Sequence, residues 1–267
     1  MKGLAITGGV ALLAMVAGCA GRLSAPTAAV KDELAPKGTL RLAVFTGNPV
    51  LGSRDKATGQ VSGTTVTLGR ALGESAGLPV TIQEYTAIAK LVEDAKTGAW
   101  DVAVIALDPG RRNIVDYAPP HIVVDLTYLV APGSGIRSVA DADQAGVRIA
   151  AARGAATTLI LERTLKNATV VQADNEPSAF ALIRNGSAQA YAQNRYMLLG
   201  LAESLPGARV VEDRFSAAEM AMALPKGRPA ALAYVGAFVE QSKRSGAVAR
   251  AIEAAGLRGV NVAPATP

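Results

Sequence analysis

The chain has 267 residues, half of them hydrophobic, and carries 27 lysines and arginines against 22 aspartates and glutamates. That length suffices for two modest hydrophobic cores, and the net charge of +5 is scattered without a run of five like charges, which argues against a nucleic-acid surface. Aromatic residues, at 4%, are too few for a base-stacking platform.

The N-terminus reads as a targeting segment. Lys2 precedes an apolar stretch from Leu4 to Ala17, shorter than the roughly twenty residues a bilayer span needs. Val16-Ala17-Gly18-Cys19 resembles a lipobox, at which bacterial lipoproteins are acylated on cysteine and cleaved before it. Cys19 is the only cysteine, so no intrachain disulfide is available to it. Ordinary secretion with cleavage nearby, for example after Ala20, is the alternative. Residues 1–18 are then a signal peptide and 19–37, rich in small residues and proline, a lipidated terminus and tether.

Strand and helix signals alternate from there. Leu40 to Val44 is a first strand opening on Phe45, and Val66 to Ala76 has helical spacing of apolar positions and is closed by Gly77. Val80 to Ile82 is a strand and Ala87 to Thr97 an amphipathic helix ended by Gly98. Val102 to Leu107 is short, apolar and bounded by turn residues, which predicts a buried parallel strand. Asp108-Pro109-Gly110 breaks it, and Arg111 follows. An arginine at the carboxyl end of such a strand suits a ligand carboxylate, which its planar fork of donors matches bidentately. Pairing with Asp108 or Asp116 is the competing reading.

A second βαβαβ unit follows the β-rich run Val124 to Val130. It comprises a short helix at Ser138 to Ala145, a strand at Val147 to Ala151 and a helix at Gly154 to Leu165. Val170-Val171, a helix at Pro177 to Asn185, and a strand at Ala188 to Gln193 ending on Asn194 complete it. Ala221 to Gly227 returns the chain to the first unit, and helices at Pro229 to Ser242 and Gly246 to Ala255 close it. Two such units, each presenting loops at strand ends, are what a two-lobed clamshell requires.

The spacing from Asp108 through Arg111 to Val115-Asp116-Tyr117 and Pro120 resembles the T-x-x-R … v-D-F-S-x-P-Y signature of the periplasmic solute-binding proteins of family 3, receptors of ABC importers. GTLR at Gly38, GQVSGTTVTLGRAL from Gly59, and the PKGRPAAL … GAVARAI run at the end align with it in order. The resemblance implies an α/β clamshell of type II, each lobe a parallel-rich sheet flanked by helices, with lobe 1 at 38–125 and 219–263 and lobe 2 at 126–218. It also implies a small-molecule carboxylate ligand, ABC permease subunits as partners, and a periplasmic or cell-surface location.

In such receptors the arginine matching Arg111 holds the ligand carboxylate, helped by hydroxyl and N–H groups from both lobes. Here the hydroxyl position five residues before it is Ala106, the second-lobe G-T-T loop reads Gly154-Ala155-Ala156, and the aromatic of G-F-D-x-D is Thr64. The acid that neutralises a ligand ammonium aligns with Asn194, which accepts a hydrogen bond but supplies no charge, so keto or hydroxy acids are expected to compete with amino acids. Phe45, where the first strand empties into the cleft, either packs on an apolar ligand stem or is a surface hydrophobe. His121, the only histidine, reads as structural; no second His or Cys completes a transition-metal site, and no cofactor is expected. A non-enzymatic receptor is the leading expectation. The alternatives are a dehydratase-like enzyme on the same scaffold, for which Glu219 is the candidate acid, and a sensor lipoprotein without transport.

Overall fold

The computed structural model describes residues 23–257 and 259–265. Cys19, the lipobox and the signal segment lie outside them. Among the described residues no helix is long and apolar enough to cross a membrane.

The segment expected to be a tether is not one throughout. Residues Ala28–Leu34 form helix α1, capped by the Thr27 hydroxyl, which accepts from the Val30 N–H at 3.3 Å. Val30 and Leu34, four apart and so on one face, are both buried. The Glu33 carboxylate accepts from the Ala231 N–H at the start of a late helix, so this segment is part of the folded body.

Strands β1 (Leu40–Phe45), β2 (Ser53–Arg54) and β3 (Val61–Ser62) precede helix α2 (Thr64–Ala76). The turn into α2 uses Gly63 at φ +124°, where a Cβ would sit 2.7 Å from the Gly52 Cα; only glycine fits that approach. Then come β4 (Val80–Tyr85), α3 (Ile88–Asp94) with a 3-10 turn at Ala95–Thr97, and β5 (Val102–Ala106), every residue of which is buried. After a 3-10 turn at Pro109–Arg111, β6 runs from Val115–Val130, far longer than the Val124 to Val130 strand expected. Pro119 and Pro120 masked its first half, because proline has no N–H for a ladder. The strand tolerates them where its register with β11 shifts, around Met220 and Ala221.

The second half holds α4 (Val139–Ala142), β7 (Arg148–Ala152), α5 (Ala156–Thr164), β8 (Thr169–Ala173), α6 (Glu176–Arg184), β9 (Ala190–Asn194), α7 (Arg195–Glu203) and β10 (Arg209–Val210). The chain returns through β11 (Ser216–Pro225), α8 (Pro229–Arg244), α9 (Ala247–Ala254) and β12 (Val260–Val262). The strand order is β4-β1-β5-β11-β6-β9-β7-β8, with β10 and β12 also paired to β6. Each half keeps a parallel trio, β4-β1-β5 and β9-β7-β8, and the antiparallel β6 and β11 join them.

Burial divides accordingly. One hydrophobic cluster draws on residues from Val30 to Leu126 and from Ala218 to Val260, and two more draw on Tyr128 to Val211. The carboxyl ends of β1, β5, β7 and β9 all open on the seam between these clusters, which is where an open α/β sheet places its ligand.

Candidate functional site

On the first side of the seam, β1 ends at Phe45 and β5 at Ala106, and both line the cleft. Asp108 caps the turn after β5 by accepting from the Gly110 N–H at 2.8 Å, and that turn carries Arg111 inward. The Arg111 guanidinium is buried; Nη1 donates to the Ala106 carbonyl at 3.1 Å and Nη2 reaches across the seam to the Gly154 carbonyl at 2.6 Å. The competing ion-pair reading fails, because Asp108 pairs with Arg163 and Asp116 with Lys226. Arg111 makes no ion pair among the described residues.

On the second side, β7 leads through Gly154, at φ +71°, into α5. The α5 N-cap, Ala155, offers no side-chain cap, and the first helical bond runs from the Leu159 N–H to the Ala155 carbonyl. The Ala155 N–H donates to the Ala152 carbonyl at 3.1 Å, while those of Ala156, Thr157 and Thr158, in the first turn, are placed to serve an anion at the helix's positive end. Ala155, Ala156 and Thr157 line the cleft, while Gly154 contributes its carbonyl to Arg111 rather than an N–H to the lining. Thr158 spends its hydroxyl on the Ala152 carbonyl, but the buried Thr157 Oγ1 has no partner among the described residues. A hydroxyl missing at positions 155 and 156 is therefore present one residue later.

Asn194 ends β9 and is buried in the cleft lining. Its Oδ1 accepts from the Met197 N–H at 2.9 Å, capping α7, which fixes the amide orientation because an N–H only donates. Its Nδ2 then donates to Gln193 Oε1 at 3.2 Å and, across the seam, to Asn48 Oδ1 at 3.3 Å. The Asn194 oxygen, expected to accept from a ligand ammonium, is thus shared with a helix cap, which takes one of its two lone pairs.

Three further polar groups of the cleft escaped sequence reasoning: Asn48, Gln193 and Glu176. Glu176 opens α6, a position where an acid is usually solvated, yet here it is buried under β9 and accepts from the Tyr191 hydroxyl at 2.5 Å. Burial pushes its carboxyl above the usual carboxylate range, against the opposing pull of the Tyr191 and Gln193 hydrogen bonds. The sequence around it announces only a helix start. Leu51, Ile88, Leu126, Ala218 and Met220 supply apolar wall, and the whole encloses about 450 Å³ of empty space, counting the part open to solvent.

Two candidates are not brought here. Thr64 is buried in the first turn of α2, where its hydroxyl donates to the Val50 carbonyl at 2.6 Å, and it does not line the cleft. Glu219 is exposed on β11, alternating outward between the cleft-lining Ala218 and Met220, so it is not the acid of this site.

A buried cation, a helix N-terminus, a hydroxyl, three amides and one acid, drawn from two α/β halves around a small enclosed space, define a clamshell solute-binding protein. The chain belongs to the bacterial extracellular solute-binding proteins, family 3, whose model matches residues 40–255. It is 22% identical over 190 residues to a glutamine-binding protein of Geobacillus stearothermophilus, covering 69% of this chain and 72% of that one. It is 23% identical over 145 residues, 54% of this chain and 53% of the other, to the ABC transporter glutamine-binding protein GlnH of Bacillus subtilis (strain 168). Among solved structures, an ancestral amino acid-binding protein, AncCDT-1, described as a precursor of cyclohexadienyl dehydratase, superposes with a TM-score of 0.71 at 24% identity over 84% of this chain and 97% of that one. The amino acid ABC transporter substrate-binding protein AbpA of Streptococcus pneumoniae, bound to L-arginine, gives 0.73 at 18% identity, covering 83% and 96%.

Proposed function

We propose that this protein is the extracytoplasmic receptor of an ABC importer, closing its halves, 38–125 with 219–263 against 126–218, over a small carboxylate-bearing solute and delivering it to permease subunits. The observation that carries this reading is Arg111: a buried guanidinium without an acidic partner among the described residues, aimed at the uncapped N-terminus of α5. Leaving a charge unpaired in a desolvated site is costly, and a ligand carboxylate satisfies Arg111, the α5 N–H groups and Thr157 together. Ala106, Gly154, Ala155 and Ala156 shape that subsite through backbone groups, and Phe45 packs on the ligand stem. The amino-acid-binding relatives support the class of solute. The dehydratase alternative loses its named acid with Glu219 exposed, and no observation favours a sensor over a receptor.

The test is a thermal-shift panel of amino acids, keto acids and small dicarboxylates, since a ligand at a hundred times its dissociation constant stabilises by about 2.7 kcal/mol. Arg111→Ala is expected to cost about 2–5 kcal/mol of affinity for whatever binds; full affinity in the folded variant would make Arg111 a structural tie between Ala106 and Gly154 only. The receptor is further proposed to be anchored through lipid on Cys19, on the strength of the VAGC run. Cys19→Ser is expected to abolish incorporation of labelled fatty acid and release the protein from membranes; labelling that persists in the variant rules the anchor out.

A further inference from the structure

Arg111 and Glu176 face one cleft from opposite halves, both buried, and neither has an oppositely charged partner among the described residues. A closed site holding one unpaired charge of each sign is the complement of a zwitterion. The hydrogen bonds around Glu176 have a fixed polarity. The Met197 N–H orients Asn194, whose N–H and Nδ2 both donate to Gln193 Oε1 at 2.8 and 3.2 Å. That leaves Nε2 as the Gln193 group able to donate towards Glu176, which shares the cleft lining with it. Tyr191 donates to Glu176 as well. Every neighbour thus donates, which suits a carboxylate, an acceptor only, whose remaining capacity opens on the cleft.

We propose that Glu176 is the group that holds the ligand's ammonium, in place of the acid absent at Asn194, and that it makes α-amino acids rather than their keto analogues the solutes of this site. The inference rests on Arg111 anchoring the carboxylate. It reverses what Asn194 alone suggests, because the acid is supplied from the head of α6 instead of the end of β9. A keto oxygen placed there would meet an acceptor, not a donor, and a buried carboxylate would be left unpaired.

Titration of the purified protein with matched pairs tests it: L-alanine and pyruvate, L-leucine and 4-methyl-2-oxopentanoate, L-phenylalanine and phenylpyruvate, L-glutamate and 2-oxoglutarate, with the other protein amino acids alongside. Wild type is expected to bind amino acids at least about 30-fold tighter than their keto analogues. Glu176→Gln is expected to lower amino-acid affinity by a similar factor while leaving keto-acid affinity unchanged or higher, and Glu176→Asp to keep the preference. A keto acid bound by wild type as tightly as its amino acid overturns the inference, as does a folded Glu176→Gln that weakens both members of a pair equally. Should Glu176→Gln not fold, the wild-type pairs decide alone. If no α-amino acid and no α-keto acid binds at all, the carboxylate anchor at Arg111 has failed and the role of Glu176 falls with it.

Discussion

His121 sits where β6 loses register with β11: Ile122 pairs with Met220 and Pro120 with Ala221, so the histidine between them has no partner in β11, while its carbonyl accepts from the Ala263 N–H at 3.0 Å. Its ring is fully buried, and neither nitrogen has a hydrogen-bond partner among the described residues. Burial, and then the Lys243 cation, whose ammonium donates to the Pro120 carbonyl at 3.1 Å, lower the imidazole pKa to about 4. A base whose folded pKa lies below its unfolded value leaves the unfolded chain holding more protons, so stability falls as pH drops from about 6.5 towards 4 and is intact above that window. The contribution is roughly 3 kcal/mol. His121→Leu, close in size and without a group to protonate or a polar atom to leave unpaired, is expected to be at least as stable as wild type at pH 7.5 and to widen its lead in thermal midpoint at pH 5; parallel pH profiles for the two proteins would show that the ring is hydrated or partnered and does not titrate in this window. Reading residue types along the chain identified His121 as structural and Arg111 as cleft-facing, because a lone histidine or a strand-end arginine has few roles. It did not find Glu176, since nothing local distinguishes an acid solvated in a first helical turn from one covered by a tyrosine fifteen residues later.

Elements with a clean period were legible. The apolar spacing of α2 and the unbroken hydrophobic run of β5 placed them within a few residues of their observed bounds, and β1, α8 and α9 were placed as closely. What stayed hidden depends on partners elsewhere in the chain. The α1 segment, AAVKDEL, is too short to be helical alone and forms because Val30 and Leu34 dock and Glu33 receives the Ala231 N–H. Helix α7 begins on the same Asn194 that had been read only as a cleft residue; its amide oxygen is the N-cap, so one side chain both starts a helix and bridges the seam. β2, β3, β10 and β12 are two or three residues long and owe their strand geometry to the strands beside them. The same dependence explains the loss of Thr64 as a site residue, because its hydroxyl was taken by Val50 when the preceding loop folded back.

Taken whole, the two halves are tied across the cleft by polar side chains. Arg111 reaches Gly154, Asn194 reaches Asn48, and Arg163 on α5 forms an ion pair with Asp108 at 2.7 Å. The first two belong to the cleft lining, but Arg163 lies outside it, half exposed on the rim, while Asp108 is almost fully covered. This pair can therefore bias closure without touching a ligand. A binding-competent closed form that is only partly populated reduces apparent affinity by that fraction, and a half-exposed pair is worth up to about 1 kcal/mol, or roughly five-fold. Arg163→Ala is the cleaner variant, since Asp108 also caps the turn that carries Arg111. It is expected to weaken every ligand of the site by the same factor of about two to five, without changing the order of preference among them, and to raise the radius of gyration of the ligand-free protein measured by small-angle scattering. A loss of affinity that differs among ligands would place Arg163 in the site itself, and unchanged affinity together with unchanged scattering would show that the pair does not contribute to closure.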